Sequence, residues 1–165
     1  MKTTISVLVE NHAGVLSRIS GLFSRRGYNI DSLAVGVTDD PTISRITIVS
    51  ESDEYTTQQI EKQLNKLIEV IKVRKLSPDE LLECELVLIK VNVSASKRGE
   101  IMSVAKIIQA KIIDVCQTTV TLKLADDSYH INSAIEMLKP YGIVEIVRTG
   151  TIAIQKGNDS LSLKK

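Results

Sequence analysis

Aromatic residues are scarce in this chain, whose 165 residues include one Phe, four Tyr and no Trp. Proteins that bind single-stranded nucleic acids stack the bases on aromatic side chains, so the sequence disfavours that class. The charge balance also disfavours nucleic-acid binding, because 21 basic and 20 acidic residues leave a net charge of +1 and no basic field for a phosphate backbone.

Long apolar runs are absent as well. No stretch approaches the length of a membrane span, and the first residues lack the apolar core of a signal peptide. The 43% of hydrophobic and 25% of charged residues are typical of a globular protein with one domain or two small ones. We therefore expect the chain to be cytoplasmic.

Residues that carry catalysis or bind metals are few. The two cysteines, Cys84 and Cys116, match no metal or redox spacing, and we interpret them as small buried hydrophobic residues in a reducing compartment. His12 and His130 are far apart in the sequence, and each is typical of a solvated loop or helix start. No phosphate-binding glycine loop, zinc spacing or nucleophile elbow is present. The sequence predicts no catalytic and no metal-binding residue.

The apolar residues of the first half follow a helical spacing in some segments and a strand-like pattern in others. Spacings of three and four residues indicate helices, and β-branched runs indicate strands. Gly27 stands where a cap should end the first helix. The predicted elements are strand 4–9, helix 14–26, strand 28–37, strand 43–49, a helix around 60–68 and strand 70–73.

The second half repeats this order. Its predicted elements are strand 84–93, a helix around 101–108, strands 111–115 and 119–124, a helix around 131–138 and strand 144–147. The run Ser77-Pro78-Asp79-Glu80 interrupts the pattern, so we place the boundary there, with domains at 1–76 and 77–165. The polar tail from Lys156 onwards is predicted to be loose.

Two tandem βαββαβ units predict an α+β fold of two ferredoxin-like domains, each with both helices on one face of an antiparallel sheet. Such a small unit leaves one sheet face and two edges uncovered, which favours association. We interpret Leu33, Val35 and Ile46 as the exposed side of the first hairpin. The first units are therefore expected to pair edge to edge in an oligomer.

The loop between the first strand and the first helix is the best candidate for a binding site. A helix start directs free N–H groups and the positive end of the dipole into the loop, which suits a small anion such as a carboxylate. Gly14 lets a ligand approach the backbone, and Asn11 offers a donor and an acceptor. The alternative is that Asn11 or Ala13-Gly14 only caps the helix.

Several motifs resemble one protein family. They are NHAGVLSR at 11–18, GLFSRRGYNIDSL at 21–33, TDDP at 38–41, RGEI at 98–101, IDV at 113–115 and RTG at 148–150. These motifs closely resemble the regulatory (small) subunit of acetohydroxyacid synthase, also called acetolactate synthase. The resemblance extends over nearly the whole chain.

The resemblance implies that the first unit is an ACT domain, the amino-acid-sensing version of the ferredoxin-like fold. Small subunits of this family bind branched-chain amino acids, typically valine, between the ACT domains of a homodimer, with leucine and isoleucine as further candidates. They activate a separate catalytic subunit and make it sensitive to the end product. Thiamine diphosphate, Mg²⁺ and FAD belong to that catalytic partner, so no cofactor is expected in this chain.

The resemblance and the loop together predict an effector site for valine. The N–H groups of Gly14 and Val15 are expected to bind the carboxylate, and Asn11 the polar head of the ligand. The second strand of a neighbouring subunit is expected to contribute Asn29 and Ile30. Two further residues, Leu16 and Val35, are predicted to form apolar walls.

Three other functions compete with this interpretation. An RNA-binding module shares the topology but needs surface aromatics and a basic groove, which the sequence disfavours. A small enzyme on the same scaffold would need convergent catalytic groups. A stand-alone amino-acid sensor with another target fits the composition, and co-purification with a large thiamine-dependent partner would discriminate it from the regulatory subunit.

Overall fold

The computed structural model describes residues 2–161. The first half contains β1 (Lys2–Glu10), α1 (Val15–Arg26), β2 (Ser32–Val37), β3 (Ile43–Glu51), α2 (Glu54–Leu64) and β4 (Val70–Leu76). The second half contains β5 (Leu81–Asn92), α3 (Arg98–Ile107), β6 (Lys111–Val115), β7 (Thr119–Asp126), α4 (Ser128–Leu138), β8 (Ile143–Arg148) and β9 (Ile152–Gln155). The predicted fold class, two ferredoxin-like βαββαβ units, is confirmed.

The first sheet has the antiparallel strand order β2-β3-β1-β4, so β2 and β4 are its edges. Side chains alternate along β1, and Ile5, Val7 and Val9 face the two helices. Helices α1 and α2 turn their apolar stripes onto the same side, which closes one core. The buried helix residues of this core are Val15, Ile19, Leu22, Phe23, Ile60 and Leu64.

The prediction that Ile46 lies on an exposed side of the first hairpin is wrong. Ile46 lies opposite Val7 in the ladder and is 1% exposed, because both residues face the helices. Leu33 also packs partly against this core, whereas Val35 on the edge strand is exposed.

Helix α1 ends at the predicted glycine. Gly27 adopts φ +69°, and its N–H donates to the carbonyl groups of Phe23 and Ser24. Tyr28 N–H also donates to Phe23 O, at 3.0 Å. Residues 28–31 therefore complete the helix end and a connection, and β2 begins later than predicted, at Ser32.

The chain returns to the first unit after residue 150. Among the described residues, one compact unit comprises 2–82 with 151–161, and the other comprises Glu83–Gly150. This differs from the predicted division, which assigned 77–165 to the second domain with a loose tail. The tail is held because Leu161 clusters with Leu8 and Ile43 on the face of the first sheet opposite the helices. Residues 162–165 of the predicted tail lie outside the described residues.

The second sheet has the order β6-β7-β5-β8, and β9 pairs with β5, whose first two residues belong to the first unit. Alternate residues of β5 and β7 form its core with α3 and α4. Asp127 caps helix α4, because its side chain accepts a hydrogen bond from His130 N–H. No helix described between residues 2 and 161 has both the length and the apolar character to cross a membrane.

Candidate functional site

The β1–α1 loop, residues 11–14, is fixed to the β2–β3 turn. Asn11 N–H donates to Thr42 O at 2.7 Å, and Asn11 Nδ2 donates to Pro41 O at 2.8 Å. On the other side, Glu10 N–H donates to Glu69 O at 2.9 Å. The register places Glu10 opposite Ile43, which is why the loop and the turn meet at the same end of the sheet.

Gly14 occupies the cap position of α1 with φ +91° and ψ −16°, a left-handed conformation that glycine adopts without strain. No side chain makes a capping hydrogen bond there. Of the two capping alternatives, the one at Asn11 is therefore wrong, since its amide group binds Pro41 instead, whereas Gly14 does occupy the cap position. A Cβ atom built on Gly14 would meet nothing within 4 Å, so the space in front of this residue is open.

The N–H groups in the first turn of α1 have no partner in the preceding turn of the helix. The first intrahelical hydrogen bond runs from Arg18 N–H to Gly14 O at 3.0 Å, so the N–H groups of Val15, Leu16 and Ser17 precede it. The first turn contains no acidic residue. The last turn contains Arg25 and Arg26, whose positive charges interact favourably with the negative end of the helix dipole. The open space at Gly14 therefore faces a positive helix terminus that no side-chain carboxylate of the first turn neutralises.

The charged residues near the loop are paired. Arg18 Nη1 forms an ion pair with Glu69 Oε1, and the Glu69 carboxylate is buried. His12 Nε2 lies 3.1 Å from Glu10 Oε2. The Arg18 guanidinium thus neutralises the buried Glu69 carboxylate beside the loop.

Apolar side chains flank this end of the unit. Leu16 is 42% exposed on α1, and Val35 is 48% exposed on the edge strand β2. Val15 is 5% exposed and belongs to the core, so only its backbone N–H is available to a ligand. This arrangement is compatible with the predicted use of the Val15 backbone.

Asn29 and Ile30 follow the opposite end of α1. The helix has 12 residues, and at a rise of about 1.5 Å per residue it separates them from Gly14 by about 18 Å. Asn29 is exposed and donates to Asp31 Oδ1 at 2.7 Å, while Ile30 packs partly against the core. A single chain therefore does not bring all the predicted site residues together, and a ligand could contact both groups only between two copies.

The turn residues that hold Asn11 were not predicted to belong to the site. Asp40 Oδ1 accepts hydrogen bonds from Thr42 Oγ1 at 2.6 Å and from Thr42 N–H at 2.9 Å, and these bonds hold the pKa of Asp40 below its usual value. The sequence TDDP indicated a turn, but nothing in it showed that the turn binds the loop.

One further group of described residues has metal-ligand chemistry: Asp126, Asp127 and His130 place one possible ligand atom each within 4.8 Å of one another. Asp127 caps α4 and accepts from His130 N–H, which is the main reason that the pKa of Asp127 is lowered. His130 Nδ1 also lies 2.9 Å from Asp127 Oδ2. Helix capping accounts for this cluster.

Comparison with known proteins identifies two regions. Residues 5–72 match the model of the AHAS small subunit-like ACT domain, and residues 84–157 match the model of the small subunit of acetolactate synthase. The two matches correspond to the two βαββαβ repeats, so the first unit contains an ACT domain.

Full-length relatives agree with these matches. The acetolactate synthase small subunit of Haemophilus influenzae is 44% identical, over 98% of this chain and 99% of that protein. The acetolactate synthase isozyme 3 small subunit of Escherichia coli is 42% identical, over 96% of this chain and 98% of that protein. The crystal structure of the acetolactate synthase small subunit from Thermotoga maritima superposes with a TM-score of 0.90 at 35% identity, over 96% of this chain and 99% of that one. The chain belongs to the family of acetolactate synthase small subunits.

Proposed function

We propose that this chain is the regulatory subunit of an acetolactate synthase, which activates a separate catalytic subunit in the cytoplasm and makes it sensitive to valine. The observation that carries the proposal is the α1 N-terminus, where open space at Gly14 faces N–H groups that precede the first intrahelical hydrogen bond and the first turn has no acidic residue. An amino acid offers a carboxylate that suits this position.

The carboxylate of valine binds the N–H groups of Gly14 and Val15. Both groups precede the first intrahelical hydrogen bond, so they need no rearrangement to donate. The left-handed backbone at Gly14 keeps the approach open because glycine has no Cβ atom.

The ammonium group of valine binds Asn11 Oδ1. The amide nitrogen of Asn11 already donates to Pro41 O, which fixes the orientation of the side chain. Its Oδ1 atom accepts no hydrogen bond from the described residues, and an ammonium group is a donor that suits it.

The isopropyl group and the remaining polar contacts involve a second copy of the chain. Leu16 and Val35 supply exposed aliphatic surface beside the loop, while Asn29 and Ile30 of a neighbouring copy close the site. The edge position of β2 supports pairing of two first units, because an edge strand has unpaired N–H and carbonyl groups. Leucine and isoleucine carry the same head group and are further candidate ligands.

The chemistry of the reaction belongs to the catalytic partner. Thiamine diphosphate, Mg²⁺ and FAD are assigned to that subunit, and this chain supplies regulation only. Valine acts by preferring one arrangement of the paired ACT domains over another, because a ligand shifts an equilibrium only by its differential affinity for the two states.

Calorimetric titration with L-valine tests the site, with L-leucine, L-isoleucine and D-valine as comparisons. We expect saturable binding of L-valine, and we expect Gly14→Asp to abolish it because the new carboxylate repels that of the ligand. Gly14→Asn has nearly the same shape without the charge and separates repulsion from steric exclusion. Gly157→Asp is the matched control, since Gly157 also has a positive φ (+75°) and open space around a built Cβ. Unchanged valine affinity in Gly14→Asp would refute the assignment.

Activation is tested by adding the purified chain to its catalytic subunit and measuring acetolactate formation. We expect the rate to rise to a plateau at saturating chain and to fall when valine is added. A rate that does not respond to the chain would contradict the regulatory function.

A further inference from the structure

The segment Thr151–Gln155 is bound to three strands of the first unit. Thr151 N–H donates to Ser32 Oγ on β2 at 2.8 Å, and Ala153 O accepts from Arg45 Nη2 on β3 at 2.9 Å. Gln155 Oε1 accepts from Arg74 Nη1 on β4. We call this stretch the return segment, because through it the chain re-enters the first unit.

The return segment presents one side to the sheet and the other to solvent. Thr151 and Ala153 are buried, whereas Ile152 and Ile154 are exposed, as the alternation of a strand requires. Arg45 reinforces the attachment, because its Nε also donates to Ser6 Oγ at 2.8 Å on the central strand β1. The segment is therefore held by directional hydrogen bonds on a defined face of the ACT unit.

The contact at Ser32 lies next to residues of the proposed valine site. Ser32 is the first residue of β2, and Ile30 and Asn29 precede it by two and three positions. Asn29 also donates to Asp31, whose N–H donates to Val49 O at 2.8 Å. A ligand that holds Asn29 and Ile30 therefore acts on the residues that position the Ser32 hydroxyl group.

The other partner of this contact begins the return segment. Gly150 is the last residue of the second unit, and it has φ +81°, so a sharp glycine bend comes directly before Thr151. One hydrogen bond thus joins residues that are 119 positions apart in the sequence, one beside the proposed effector site and one adjoining the second unit.

We propose that the Ser32–Thr151 hydrogen bond couples the valine site to the second unit, with Ser32 as the positioning residue and Thr151 as the residue that it positions. This inference rests on the proposed function, since it identifies how occupancy of that site is read out. Valine at Asn29 and Ile30 fixes the start of β2, and the fixed Ser32 Oγ atom sets the position of the Thr151 backbone. Loss of the contact leaves the binding site intact and removes the signal.

The variant Ser32→Ala tests this coupling in the complex with the catalytic subunit. Ser32→Thr keeps a hydroxyl group on the same strand, and Ser24→Ala removes an exposed serine of α1 from the same unit. For each variant, calorimetry gives the valine affinity of the isolated chain, and the activity of the complex gives the valine concentration for half-inhibition.

We expect the valine affinity of Ser32→Ala to stay within about twofold of that of the unaltered chain. The valine concentration for half-inhibition of its complex should rise about fivefold or more, which is the lower end of usual allosteric couplings. Ser32→Thr and Ser24→Ala should be inhibited like the unaltered complex. Normal inhibition of Ser32→Ala would overturn the coupling and leave the valine site standing. An equal loss of valine affinity in the isolated chain would also overturn it, because Ser32 would then act on the site itself.

Hydrogen exchange gives a second readout that does not depend on activity. In the unaltered chain we expect saturating valine to slow exchange of the Thr151 amide, and in Ser32→Ala we expect no valine-dependent change at that position. Equal slowing in both proteins would contradict the proposal. If the unaltered chain neither binds valine nor confers inhibition by it, both the proposed function and this inference fail.

Discussion

Asn11 Nδ2 lies 2.8 Å from Pro41 O, so a hydrogen bond joins the loop that opens α1 to the turn between β2 and β3. The backbone reinforces this connection, because Asn11 N–H donates to Thr42 O at 2.7 Å. The side chain of Asn11 is therefore fixed before any ligand arrives, which lowers the entropic cost of binding.

Asn11→Ala should weaken valine binding about tenfold or more, because it removes the acceptor for the ammonium group, and a hydrogen bond to a charged group contributes about 1.5–3 kcal/mol. Calorimetric titration measures the change. Asn65→Ala is the control, since Asn65 is an exposed asparagine whose side-chain amide donates to Glu61 O at the end of α2. Equal valine affinity in the two variants would remove Asn11 from the site.

Mixed subunits test whether the valine site lies between two copies. Gly14→Asp and Asn29→Ala should each bind valine poorly when alone, since every site then carries one defect. After the two variants are mixed under conditions that exchange subunits, a twofold dimer has one doubly altered site and one unaltered site. Random exchange should restore about a quarter of the sites with normal affinity, because half of the dimers are mixed. No recovery after proven exchange would place all contacts within one chain.

The turn that holds Asn11 should contribute less to the stability of the folded chain in acid. The Thr42 hydroxyl and N–H groups lower the pKa of Asp40 in the folded chain, so the unfolded chain binds more protons in acid. This contribution to stability is present above the unfolded-state pKa of Asp40 and is lost as the pH falls through the folded-state pKa.

Urea unfolding between pH 2 and pH 7 measures this effect. Asp40→Asn should show a smaller loss of unfolding free energy in acid than the unaltered chain, while Asp39→Asn, which changes the neighbouring carboxylate, should not. The reduction is partial, since Asp53 and Asp127 also have pKa values lowered by hydrogen bonds in the folded chain. Identical acid profiles for Asp40→Asn and Asp39→Asn would contradict the assignment.

Leu161→Ala should lower the free energy of unfolding by about 2 kcal/mol, since a large aliphatic side chain leaves a cluster with Leu8 and Ile43. Ile154→Ala in the return segment is the control, because Ile154 is exposed and its truncation should cost less than about 0.5 kcal/mol. Chemical denaturation of both variants measures the difference. Equal stability of the two variants would indicate that Leu161 does not anchor the tail.

Local patterns in the sequence were sufficient to predict the repeats, the start of α1 and the cap at Gly27. Each depends on residues within one helix or strand, where the apolar period or a single glycine determines the conformation. The same reasoning could place Gly14 at a helix start, but it could not show that Asn11 binds Pro41. That contact depends on strand register, which brings together residues 30 positions apart.

The return segment illustrates why non-local structure escaped prediction. Strand β9 has four residues, too few to show a reliable period, and its polar flanks are typical of a loose tail. The return segment also bears on the error at Ile46, which faces the helices, because it makes the opposite face of β3 buried as well. Strand β3 is covered by helices on one face and by the return segment and Leu161 on the other, so alternation no longer separates buried from exposed residues.

The placement of 151–161 in the first unit determines when that unit can be completed during synthesis. Ser6 and Leu8 are made before the second unit, whereas Ala153 and Leu161, which lie on their face of the sheet, are made only after it. Throughout that interval the nascent ACT unit exposes a face that the finished protein buries. The first unit therefore stays incomplete until the whole second unit has been made, and a stalled or truncated chain would present Leu8 and Ile43 to chaperones or to other nascent chains.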